Sequence, residues 1–126
     1  MKLWNKNVIQ DFLTQHFNRA VAIGITTSFE PYLLFPIDIF QSNMNELKTF
    51  CNENGYAPNS LDSCLKYLMH ELDTTHKNLK TKLQNLEDTP EGAYNATYLF
   101  AKEFLRYEMN AIDKLALTAK AQCSLK

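Results

Sequence analysis

Between Arg19 and Phe29 the chain reads RAVAIGITTSF, a run that is apolar on almost every side and has Gly24 in its middle. A surface helix shows an apolar stripe and a polar face, whereas a helix apolar all round has to be enclosed by its neighbours. Gly24 lacks a Cβ and lets another element approach closely. The run therefore predicts a central helix, and the rest of a 126-residue chain must wrap around it. That length suits a single domain over residues 1–126, with one core that needs neither disulfides nor a metal to hold it.

Composition narrows the partners. Apolar residues make up 45% of the chain and the formal net charge is −1, the balance of a globular protein without the basic surplus that nucleic-acid binding needs. No apolar run is long enough to span a bilayer, so membrane insertion is not expected. The opening MKLWNKNVIQDFL mixes Asn, Lys, Gln and Asp into its apolar residues and does not read as a signal peptide, which implies synthesis in the cytoplasm. Cys51, Cys64 and Cys123 are too few and too irregularly spaced for a disulfide framework or a metal cluster, and read as buried thiols.

Scarce Gly and Pro, and no sustained alternation of apolar and polar residues, predict a mostly α fold of about seven short helices. Val8, Ile9, Phe12, Leu13 and Phe17 recur at helical spacing, and Asn18 is placed to cap the central helix that follows. Pro31 ends that helix. PYLLFPIDIFQSN, residues 31–43, lacks a helical period and reads as a small irregular β-hairpin-like island. Asn43 then caps a helix bearing Leu47, Phe50 and Cys51, and Asn54-Gly55 closes it. Leu61, Leu65, Leu68, Met69 and Leu72 mark the next helix; Leu79, Leu83 and Leu86 mark a shorter one. Thr89-Pro90-Glu91 is a helix start, with Tyr94, Thr97, Tyr98, Ala101, Phe104 and Leu105 as its inner stripe, before a last helix around Ile112, Leu115 and Leu117.

LMHELDTTH, from Leu68 to His76, has the outline of a zinc motif, but its second histidine comes six residues after the first. At roughly 100° per residue the two rings diverge, so neither a metal nor any other cofactor is expected.

Several strings, in order, resemble the phage tail lysozyme family. DSCLKYLMHELDTTHKNLKTKLQNLEDTPEGAYNATYLFAKEFLRYE is similar to that family's L-W-H-E-L-N helix, Leu-rich helix and T-P-E-E-A-A…F…Y-E-R helix. DFLTQHFNRAVAIGI is similar to Y-L-x-x-x-G-x-x-x-x-A-A-G-I-L-G, and IFQSNMNELKTFC resembles the G-L-F-Q-W-T hairpin and the helix after it. The resemblance covers nearly the whole chain through motifs that are each weakly specific. It implies a lysozyme-like domain of a phage tail or phage-derived injection device, found on the virion tail or at the host envelope. Peptidoglycan glycan strands and other tail proteins would be its partners, and His70-Glu71 would belong to a packing helix.

The departures from the family bear on activity. Members carry A-E-S-x-F-x-P at the end of the central helix, with the glutamate as catalytic acid. Here the chain reads TTSFEP, and with Ser28, Phe29 and Pro31 set against the motif's Ser, Phe and Pro, Thr27 takes the glutamate's place. Ser42 stands for the tryptophan, Met69 for that of the L-W-H-E-L-N helix, and Leu105-Arg106-Tyr107 for Glu-Arg-Pro. Glycoside cleavage needs a carboxylic acid beside the scissile oxygen and a second group across the ring. Glu30 and Asp38 are the candidate pair, with Tyr32, Gln41 and Asn43 as candidate sugar-binding residues. An active form would be a muramidase or lytic transglycosylase. The alternative is a helical assembly or interaction protein: a tail component, an inhibitor or an immunity factor.

Overall fold

The computed structural model describes residues 5–31, 39–57 and 60–125. Among these residues there are seven α-helices and no strand: α1 (Lys6–Leu13), α2 (Arg19–Ser28), α3 (Met44–Asn54), α4 (Leu61–Asp73), α5 (Lys77–Gln84), α6 (Pro90–Phe100) and α7 (Met109–Ser124). A 3-10 turn, Gln41–Asn43, leads into α3, and a π-helical turn, Ala101–Leu105, extends α6. The fold is mostly helical, as the sequence predicts.

Every residue of α2 from Ala20 to Ser28 is buried, and α1, α6 and α7 pack around it. Gly24 is where α6 comes closest: a Cβ there would lie 2.6 Å from the Ala93 carbonyl oxygen and 2.7 Å from the Ala96 Cβ. Thr97 exploits this proximity by donating its hydroxyl to the Gly24 carbonyl at 2.7 Å, a hydrogen bond inside the core. The start of α2 is tied to the loop before α6. Asn18 accepts from the Val21 N–H and donates to the Leu86 carbonyl, and Asp88 accepts from the Ala20 N–H, each at 2.9 Å. Two N–H groups that a helix start leaves without partners are thus satisfied.

Other helix ends are set by local side-chain and backbone chemistry. Gly55 takes a left-handed conformation, φ 72°, at the end of α3. Ser60 caps α4 through the Ser63 N–H, and Thr89 caps α6 through the Gly92 N–H with Pro90 in the first turn. Cys51, Cys64 and Cys123 are buried.

Three details differ from expectation. The inner face of α6 is Gly92, Ala93, Ala96, Thr97 and Phe100, while Tyr94 and Tyr98 are only half-buried. Small residues permit the close approach to α2, and Tyr98 keeps its hydroxyl near the surface, 3.6 Å from the Met109 sulfur. On α7 the packing residues are Ile112, Ala116, Ala119 and Cys123, and Leu117 is 59% exposed. Asn43 precedes α3 but its side chain caps nothing; its carbonyl oxygen accepts from Ser42 Oγ at 3.0 Å. The predicted island falls largely on residues 32–38, outside the described residues; its described end, Ile39 to Asn43, is a turn running into the 3-10 turn.

Candidate functional site

The end of the central helix, where the lysozyme resemblance puts an acid, carries a small polar cluster. Thr27 is fully buried and donates its hydroxyl to the Ile23 carbonyl at 2.7 Å, with the Gln122 side-chain oxygen 3.4 Å away. That oxygen also accepts from Lys6 Nζ at 2.9 Å, and Lys6 Nζ lies 3.6 Å from the Glu30 carboxylate. Glu30 is therefore a half-exposed acid paired with a lysine. Asp38 and Tyr32, the other two candidates from this region, lie outside the described residues.

A walled concavity lies elsewhere. A cleft of about 600 Å³ opens between the segment 39–43 and the far ends of α4 and α6. One wall carries Gln41 and Asn43, both predicted from sequence as sugar-binding residues; facing it are Glu71 of α4, His76 at the start of α5, and Phe104 and Arg106 from the π-helical turn and its cap. Glu30 is not among the lining residues. The structure thus brings two of the five candidates together, with residues that the sequence reading left aside.

Local structure explains how these side chains arrive. The wide turn over Ala101–Leu105 holds one residue more than an α-helical turn and ends with Arg106 in the left-handed region, φ 58° and ψ 43°. Tyr107 N–H returns to the Ala101 carbonyl at 3.0 Å, closing the turn, and the Tyr107 hydroxyl donates to the Ser28 carbonyl, also at 3.0 Å. The rim of the cleft is thereby fastened to the last turn of α2. Phe100 stacks on Phe104 at 4.8 Å between ring centroids and meets Phe29 edge-on, so an aromatic column also runs from α2 to the cleft. His76 packs against Phe104 at 4.8 Å.

Glu71 stands off the buried stripe of α4. The Tyr67 phenol donates to it, and Thr75 Oγ1 lies 3.4 Å from its carboxylate. Burial, and then the negative charges of Glu71 and Glu46, push the Tyr67 hydroxyl up to about 12, so this donor keeps its proton across the physiological range. Glu71 and Asn43 also border a second hollow of about 750 Å³ between α3 and α4, where Phe50 and His70 pack at 4.9 Å. The two hollows share Asn43 and Glu71 in their walls, and polar and aromatic residues line both parts of this groove.

Glu71, His76 and Arg106 are the groove residues that sequence reasoning missed. A signal existed for Glu71, since it falls off the apolar stripe in LMHELDTTH. No sequence pattern marks Arg106, whose position depends on a left-handed backbone at a residue other than glycine. No family model, no curated protein and no solved structure matches this chain. Among the described residues, no helix is long and apolar enough to cross a membrane.

Proposed function

We propose that this chain is a lysozyme-like module that binds peptidoglycan glycan without cutting it, as a part of a phage tail or phage-derived injection device. The carrying observation is the groove, whose lining includes the amide residues Gln41 and Asn43, the acid Glu71, the base Arg106 and the aromatic Phe104. Neutral sugars are held by amides and carboxylates that exchange hydrogen bonds with hydroxyl and acetamido groups, while aromatic rings cover the C–H faces of the pyranose. The order of lysozyme-like motifs along the chain supports the same reading.

The lack of cleavage follows from the end of α2. Thr27 has no proton to give to a leaving oxygen at neutral pH, and its hydroxyl is committed to Ile23. Glu30 is paired with Lys6, and an acid must lie within hydrogen-bond reach of the oxygen it protonates. Co-sedimentation with insoluble peptidoglycan, run beside a turbidity assay on the same suspension, tests both halves. The protein should pellet with the wall material while turbidity stays constant. Clearing of the suspension would refute the non-catalytic half. A protein left wholly in the supernatant would refute glycan binding and favour the assembly-protein reading.

A further inference from the structure

We infer that Arg106 is the anchor for a carboxylate on the bound ligand, so that the groove selects acidic, peptide-bearing glycan over neutral glycan. The inference rests on the glycan-binding reading above and adds the chemical class of the ligand. Among the described residues no carboxylate lies within ion-pair distance of the Arg106 guanidinium. The side chain is exposed and lines the cleft. Its backbone is held left-handed, a conformation that a side-chain-bearing residue adopts at a cost and that concentrates at functional positions. It also directly follows a π-helical turn, another feature that gathers at functional sites.

Charge placement agrees with this role. Glu71 is the acid lining the described part of the cleft, and hydrogen bonds from Tyr67 and Thr75 satisfy it in part from its own side. His76, on the Arg106 side, packs against Phe104 and adds a second donor. The cleft thus offers acceptors for hydroxyl and amide N–H groups together with a planar guanidinium suited to two parallel hydrogen bonds with a carboxylate. Peptidoglycan fragments carry both kinds of group, since their amino sugars bear hydroxyl and acetamido groups and their stem peptides bear free carboxylates. A chitin oligomer carries only the first.

Calorimetric titration of the whole chain with three probes tests this: a soluble disaccharide-tetrapeptide, the same fragment with its carboxylates amidated, and chitotetraose. The disaccharide-tetrapeptide should bind about tenfold or more tightly than either probe that lacks carboxylates. Arg106→Gln should erase that difference, and circular dichroism should show the fold retained. Equal affinity for the acidic and amidated fragments, or undiminished preference in Arg106→Gln, overturns the anchor. Because co-sedimentation with insoluble peptidoglycan is scored separately, binding there combined with indifference to carboxylate refutes Arg106 alone. Failure in both assays refutes the groove as a glycan site.

Discussion

Arg106 is held in a conformation that glycine would adopt at no steric cost. Arg106→Gly should therefore leave the protein as stable or stabilise it by about 1 kcal/mol in chemical denaturation, while weakening the peptidoglycan fragment. A variant that loses both stability and binding would mean the arginine is a packing residue. Thr27 is the reverse case. Placing glutamate at this fully buried position should not create an acid catalyst, and should destabilise the fold by about 3 kcal/mol or more, because it overfills the core and buries a carboxyl among groups already paired. Thermal melts with a lytic assay on Thr27→Glu check this; a stable, lytic variant would show that the position still opens onto substrate. Glu30 and Lys6 form a partly exposed pair, 3.6 Å apart, of a kind worth about 0–1 kcal/mol. Glu30→Gln should accordingly change neither stability nor wall binding appreciably.

Helix by helix, the sequence was most informative where local chemistry decides. Asn18, Thr89 and Gly55 end or start helices through their own side chains or backbone freedom, and each stands where expected. The enclosed character of RAVAIGITTSF placed α2 at the centre, and Gly24 marked the crossing. What the sequence could not show is which face a helix turns inward when alanines compete with tyrosines. On α6 the alanines pack, because the gap at Gly24 admits nothing larger. Of the site, Gln41 and Asn43 were readable as polar residues beside aromatics, whereas the π-helical turn that brings Phe104 and Arg106 to them is a product of tertiary packing. The α2–α6 crossing gives a sharp test. Alanine at Gly24 should gain roughly 1 kcal/mol of helix propensity, yet its Cβ meets backbone oxygen and another Cβ, and overpacking of this kind costs about 1–3 kcal/mol. A net loss in denaturant midpoint is expected, and a gain would show that α6 can shift away.

Helices α1, α6 and α7 pack around α2, and the groove is tied to the end of that helix by Tyr107 and the Phe29–Phe100–Phe104 column. The chain's buried acids are thiols and a phenol. Burial pushes Cys64 up to about 12, with the neighbouring Cys51 adding to the effect, and Tyr67 also rises to about 12. Both stay protonated in the folded chain at pH values where the unfolded chain releases protons, so the stability they contribute is full below about pH 9 and declines as pH rises towards 12. Melting temperature should thus fall between pH 9 and 11, and Cys64→Ala should flatten that fall; a slope unchanged by the substitution would remove Cys64 as its source.

Ligand that binds in the groove and not at the end of α2 should, in a titration with the disaccharide-tetrapeptide followed by backbone amide shifts, perturb Gln41, Asn43, Glu71, His76 and Arg106 and leave Thr27, Glu30 and Gln122 unmoved. Perturbations centred on Thr27, Glu30 and Gln122 would contradict binding in the groove.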